Sequence, residues 1–120
     1  MVEVNNLTSA VVDEEFLKKV ARIVLKGENK IDLELSIALV GQERIKELNK
    51  QYRGKNKATD VLSFKYDNNF GEVVICPQET KELPRVLIHG ILHILGFSHK
   101  KMNEDKYLRQ ICQTTAISPH

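Results

Sequence analysis

Three of the four histidines in this chain fall within one short stretch, "HGILHILGFSH", from His89 to His99. His89 and His93 are four residues apart, which on a helix sets both rings on one face with Cβ atoms about 5–6 Å apart. Gly96 lets the chain leave that helix in a left-handed conformation, a reversal able to return His99 toward the same point. Three imidazoles then converge on one ion with a fourth position open. That is the layout of a catalytic zinc site and not of a closed structural one. A lone histidine on an apolar helix is ordinarily a core residue with its own partner. Two rings on so apolar a helix each need one, and each unsatisfied group costs roughly 1–3 kcal/mol. One metal satisfies them together, so the spacing predicts a single Zn2+ ion held by His89, His93 and His99.

The pattern HxxxHxxGxxH is shared with a class of zinc peptidases that carry Glu directly after the first histidine as general base. Here that position is Gly90, which has no side chain to take a proton. The residue argues against amide hydrolysis by the familiar route and leaves other hydrolysis open.

The elements that must position these rings can be read from periodicity. Residues 13–26 place Phe16, Leu17, Val20, Ile23 and Val24 at helical spacing, with Asp13, Glu14 and Glu15 in the first turn and Gly27 as a stop. Residues 31–40 alternate Leu33, Leu35, Ile37 and Leu39 with smaller or polar residues, as a strand does. "QERIKELNKQY" after Gly41 reads as a short amphipathic helix, and "RGKNKATD", residues 53–60, as a polar basic loop. "VLSFKY" and "GEVVIC" read as two strands in a hairpin-like connection through Asp67, Asn68, Asn69 and Phe70. Pro84 suits a first helical turn. "RVLIHGILHIL" is apolar nearly all round and should be buried, ending at Gly96. Asn103 can cap a last helix running to about Gln113, with Tyr107, Leu108, Ile111 and Cys112 on its inner face. The expected fold is α+β: a small mixed β-sheet packed against a central buried helix that bears the metal-binding motif, in the manner of zinc proteases.

Length and composition bound the rest. The 120 residues fit a single domain, 1–120, and 42% hydrophobic residues supply its core without any Trp. A net charge of +2 does not by itself argue for nucleic acid, so attraction to phosphate must come from local patches. Cys76 and Cys112 fit no metal or disulfide framework and read as two buried thiols in a reducing compartment. No apolar run approaches the ~20 residues that span a bilayer, and "MVEVNNLTSA" is no signal peptide. The expectation is a soluble cytoplasmic protein with no membrane partner.

"HGILHILGFSH" resembles the signature of the YbeY family of ribosomal RNA maturation endoribonucleases. A second block, "LNKQYRGKNKATDVLSF", is similar to the family's other signature through Asn49, Tyr52, Arg53, Thr59, Asp60 and Val61-Leu62-Ser63-Phe64, and "GEVVIC" to the strand that follows. The resemblance covers roughly residues 48–99. It implies a single-strand-specific, zinc-dependent endoribonuclease that acts in 16S rRNA 3′-end maturation and ribosome quality control. Its partners would be single-stranded RNA, 16S rRNA in particular, and small-subunit assembly components. It also implies His89, His93 and His99 as ligands and Arg53 as a residue of RNA processing. Two positions depart from the family: Ser98 stands where Asp is common before the third histidine, and Lys65 where Pro is frequent. A hydroxyl orients a ligand or passes a proton more weakly than a carboxylate does, so no base is assigned at Ser98.

In such an enzyme the zinc lowers the pKa of water from ~15.7 to about 7. Attack on the phosphodiester can then come from water or from the substrate's own 2′-OH. Arg53 can pair two phosphate oxygens and stabilise the charge that builds on them. Lys55 and Lys57 suit the RNA backbone or simply a solvated loop. Asp60 suits a structural role. Tyr52, Phe64, Tyr66 and Phe97 are possible stacking platforms, although core packing is the expected fate for most. Two other readings compete. One is a zinc peptidase whose base is Glu72 or Glu104; the other is a non-catalytic, metal-stabilised ribosome-assembly factor.

Overall fold

The computed structural model describes residues 1–97 and 104–116, with side chains as far as residue 112. Its elements run β1 (Val2–Asn6), α1 (Glu14–Gly27), β2 (Glu34–Leu39), α2 (Gln42–Arg53), β3 (Val61–Asp67), β4 (Phe70–Ile75), a single 3-10 turn, α3 (Leu83–Ile94) and α4 (Glu104–Ala116). The strands form one sheet in the order β1-β2-β4-β3. β1 pairs parallel with β2, and β2 with β4, while β3 pairs antiparallel with β4 at the edge. The expected α+β class with a small mixed sheet is what the chain forms.

Alternation along the central strands feeds two apolar layers, because successive side chains point to opposite faces. Leu35, Ile37, Leu39, Val73 and Ile75 join α1, α3 and α4 in the larger cluster. Ala38, Val40, Val74, Cys76 and Leu62 meet Ile45 of α2 in the smaller one on the other face. Ala38 is therefore buried, where simple alternation would leave it toward solvent.

Local chemistry sets the element ends. Asp13 is the cap of α1, its carboxylate accepting from the Phe16 amide at 3.0 Å. The β3–β4 turn closes over Asn68 and Asn69, with the Asp67 carboxylate accepting from the Asn69 amide at 2.7 Å. α3 ends on left-handed Gly96 (φ +94°): the Gly96 amide donates to His93 O and the Phe97 amide to Leu92 O, both at 3.0 Å. The expected helix stop holds at Gly96. The return of the chain toward His99, and the cap at Asn103, lie outside the described residues.

Four details differ from the sequence reading. β1 was hidden because only Val2 and Val4 alternate with polar residues in a strand that lies at the sheet edge. Arg53 is the last residue of α2 and not the first of a loop; left-handed Gly54 (φ +68°) ends the helix one residue later than expected. The last helix extends past Gln113 to Ala116. Cys112 is exposed while Cys76 is buried, because Tyr107 and Ile111, four residues apart, take the inner face and turn Cys112 off it. Tyr107 is fully buried and its hydroxyl donates to Glu28; burial, then that bond, raises its pKa well above the ordinary tyrosine range.

α3 lies tight against the sheet at Gly90. A Cβ there would sit 2.7 Å from Val73 Cγ1 and 3.1 Å from Ser63 Oγ, and that Ser63 hydroxyl donates to Gly90 O at 2.9 Å. The glycine after His89 is therefore a contact point of helix on sheet, with no room for the glutamate of the peptidases. Gly90→Ala is expected to destabilise the fold. Alanine gains about 1 kcal/mol of helix propensity, but overpacking against Val73 costs about 1–3 kcal/mol. Urea unfolding should show a lower midpoint with an unchanged slope.

Candidate active site

The stripe Arg85, His89, His93 recurs every fourth residue and forms the one polar line on an otherwise buried α3. It faces a cleft of about 890 Å³ whose other wall is the edge strand β3 together with Tyr52 and Arg53 at the end of α2. The helix, apolar nearly all round and expected to be buried, is thus open along this line, with His93 exposed and His89 partly so.

The two imidazoles meet by their Nε2 atoms, 3.1 Å apart, with ring centroids at 4.6 Å and planes crossing at 71°. His89 is turned this way by its other nitrogen: Nδ1 contacts the Glu104 carboxylate at the start of α4. Glu104 is in turn held by Arg85 at 3.5 Å, and the same guanidinium reaches Glu82 at 3.5 Å and Asp105 at 3.6 Å. Among the described residues no group of three or more His, Cys, Asp or Glu gathers at a metal-holding point. His99, the third ligand expected from the sequence, lies outside them, as does Ser98.

Arg53 lines the same cleft as the histidine pair, as do Thr59, Asp60 and Lys65. Asn49 explains how the basic loop keeps its place beside them. It is buried in α2, and its Nδ2 donates to Lys57 O at 2.9 Å. Sequence reading missed Glu104 and Arg85 as partners of His89. The signal was available in outline, since Arg85 precedes His89 by one helical turn, but the approach of α4 is a long-range event.

The two carboxylates weighed as peptidase bases are both engaged. Glu104 contacts His89 and Arg85, and Glu72 accepts from the hydroxyls of Tyr66 at 2.9 Å and Ser36 at 3.2 Å. Partial desolvation, then the bond to Glu72, pushes the phenol of Tyr66, whose side chain is still half exposed, up to about 12. Burial also pushes the Cys76 thiol up, which leaves it a poor nucleophile.

The family model described as endoribonuclease YbeY matches residues 3–116. The chain belongs to the endoribonuclease YbeY family. Endoribonuclease YbeY of Sulfurihydrogenibium sp. is 38% identical over 113 residues, covering 78% of this chain and 74% of the relative. Endoribonuclease YbeY of Aquifex aeolicus is 34% identical over 113 residues, covering 79% and 75%. A solution structure of a Thermotoga maritima protein superposes with a TM-score of 0.64 at 26% identity, covering 99% of this chain and 94% of that one. The resemblance read from three sequence blocks within residues 48–99 thus extends, as YbeY membership, over nearly the whole chain, and it supports an endoribonuclease role.

Proposed function

We infer that this chain is a single-domain, zinc-dependent endoribonuclease, specific for single strands. Its substrate is RNA, and its place is in 16S rRNA 3′-end maturation and ribosome quality control, in the cytoplasm among small-subunit assembly components. Family membership supports the nuclease class. The observation that carries the metal reading is the pair of Nε2 atoms 3.1 Å apart in the cleft that also holds Arg53.

Two nitrogens on one tetrahedral zinc, each at 2.0–2.1 Å, stand about 3.3–3.4 Å apart. The observed separation fits that arrangement, and a carboxylate on the far nitrogen of one ring is the usual partner of a ligating histidine. His89, His93 and His99 would hold the ion. When bound, zinc supplies Lewis acidity and a lowered pKa for water. The chain's own residues do the remainder. Glu104 fixes the tautomer and direction of His89, and Arg85 keeps the Glu104 carboxylate in place. Arg53 grips non-bridging phosphate oxygens, where a guanidinium offers paired donors. Lys65 adds positive charge along the β3 wall.

Treating the full chain with a chelator should abolish cleavage of a single-stranded rRNA fragment, and adding zinc back should restore it. Casein under the same conditions should stay intact. Casein cleavage without RNA cleavage would replace this reading with the peptidase one. RNA binding without cleavage by zinc-loaded protein would replace it with an assembly factor. No helix among the described residues is long and apolar enough to cross a membrane.

A further inference from the structure

Four aromatic rings form a continuous strip across the α2 face of the sheet, beginning at the cleft. Tyr52 meets Phe64 edge-on at 5.2 Å, Phe64 lies parallel to Tyr66 at 6.3 Å, and Tyr66 stacks on Phe70 at 5.0 Å. Phe64 is partly buried and anchors the strip to the smaller core. The others are open: Tyr52 is 59% exposed, Tyr66 55% and Phe70 39%. The expectation of core packing therefore fails for Tyr52 and Tyr66, while it holds for Phe97, which packs against the larger core. The reason is position, since α2 ends at Arg53 and leaves the outer half of β3 uncovered.

The strip has the marks of a surface built for contact. Tyr66 is tethered through its hydroxyl to Glu72, so little ring freedom remains to be lost on binding. Tyr52, Phe64 and Tyr66 line both the cleft and a second hollow of about 280 Å³ on the α2 face. The two hollows are thus joined by a wall of rings. The nearby charges suit an anionic chain. Arg53 follows Tyr52 directly, Lys65 lies between Phe64 and Tyr66 in sequence, and Arg44 lines the second hollow while sharing its charge with Glu47, one helical turn along α2, at 3.4 Å. Of the carboxylates beside the rings, Glu72 is occupied by Tyr66 and Ser36, and Asp67 accepts from the Asn69 amide at 2.7 Å.

We propose that the Tyr52–Tyr66–Phe70 strip is a base-stacking track for single-stranded RNA, leading away from the cleft across the edge of the sheet. This rests on the RNA-cleaving reading above and adds to it the surface that holds the bases. Arg53 would take a phosphate while the adjacent Tyr52 takes a base. Stacking tolerates any sequence because every base has a π-face, and it requires unpaired bases, which gives preference for single strands a physical source.

The test measures affinity of the full chain by fluorescence anisotropy. One probe is a short cleavage-resistant oligoribonucleotide; the other is an abasic ribose-phosphate oligomer of equal length. Tyr52→Ala and Tyr66→Ala should each weaken binding of the base-bearing probe by about 5- to 150-fold and leave the abasic probe unaffected. Tyr52→Phe, which keeps the ring, should bind as the parent does and serve as a folded control, while Tyr66→Phe, which keeps the ring but loses the tether to Glu72, should bind more weakly than the parent and more tightly than Tyr66→Ala. The dependence of log affinity on log salt should be unchanged in the tyrosine variants, whereas Arg53→Ala should flatten it by about 0.7. Unchanged affinity in both alanine variants, or equal losses on both probes, would overturn the stacking track while RNA cleavage by the parent kept the nuclease reading. A parent chain that neither binds nor cleaves RNA would remove both.

Discussion

His93→Ala is expected to reduce RNA cleavage by more than the roughly 10–100-fold typical of losing a group that merely supports a ligating histidine. The ring is one of two whose Nε2 atoms meet in the cleft, and alanine leaves no donor in its place. The substitution is also mild for the fold. His93 is exposed on α3, and alanine is the better helix former. A loss of activity with an unshifted melting temperature would therefore report the site and not unfolding. Zinc content, measured in parallel, should fall with activity. Retention of full cleavage and full zinc content by this variant would show that the metal site does not include this ring.

The next largest effect falls on Glu104, which touches no substrate in this reading. A carboxylate on Nδ1 holds the His89 ring so that Nε2 faces His93. Removing it in Glu104→Ala should weaken zinc affinity by about 10–100-fold, read in competition with a chromophoric chelator and independently of catalysis. Glu104→Gln keeps an oxygen able to accept from Nδ1–H and should lose less than the alanine variant. Equal zinc affinity across parent, Gln and Ala would mean that Glu104 serves only to seat Arg85. The distinction matters because Arg85 has two other carboxylates in reach, Glu82 and Asp105, and can stay ordered without Glu104.

Much of this architecture is local and was legible as such. The alternation of Leu35, Ile37 and Leu39, the acidic first turn at Asp13, the asparagine-rich turn and the left-handed Gly96 each act within a few residues. The sequence itself fixes them, and the fold reproduces them. The spacing of His89 and His93 likewise needed only a helix. What escaped was long-range. β1 exists because β2 offers a parallel partner, and its own two valines announce little. The Glu104–His89–Arg85 set joins residues brought together by the packing of α4 on α3. The openness of Tyr52 and Tyr66 depends on where α2 stops, one residue past the point that periodicity suggested. At Gly90 the sequence shows only a missing base; the reason for the glycine is the long-range approach of Val73 and Ser63.

β3 is the outermost strand on its side of the sheet, and it is also a wall of the cleft. A strand in that position presents unpaired backbone groups and invites pairing with another molecule. It cannot be covered without closing the cleft. The register of β3 shifts between Lys65 and Asp67, an irregularity that twists an edge away from flat pairing, and exposed Lys65 sets a charge beside it. The same stretch that keeps the cleft open to a substrate strand therefore also guards the protein against sheet-to-sheet aggregation. Substituting an uncharged β-former at Lys65 would trade away solubility as well as positive charge.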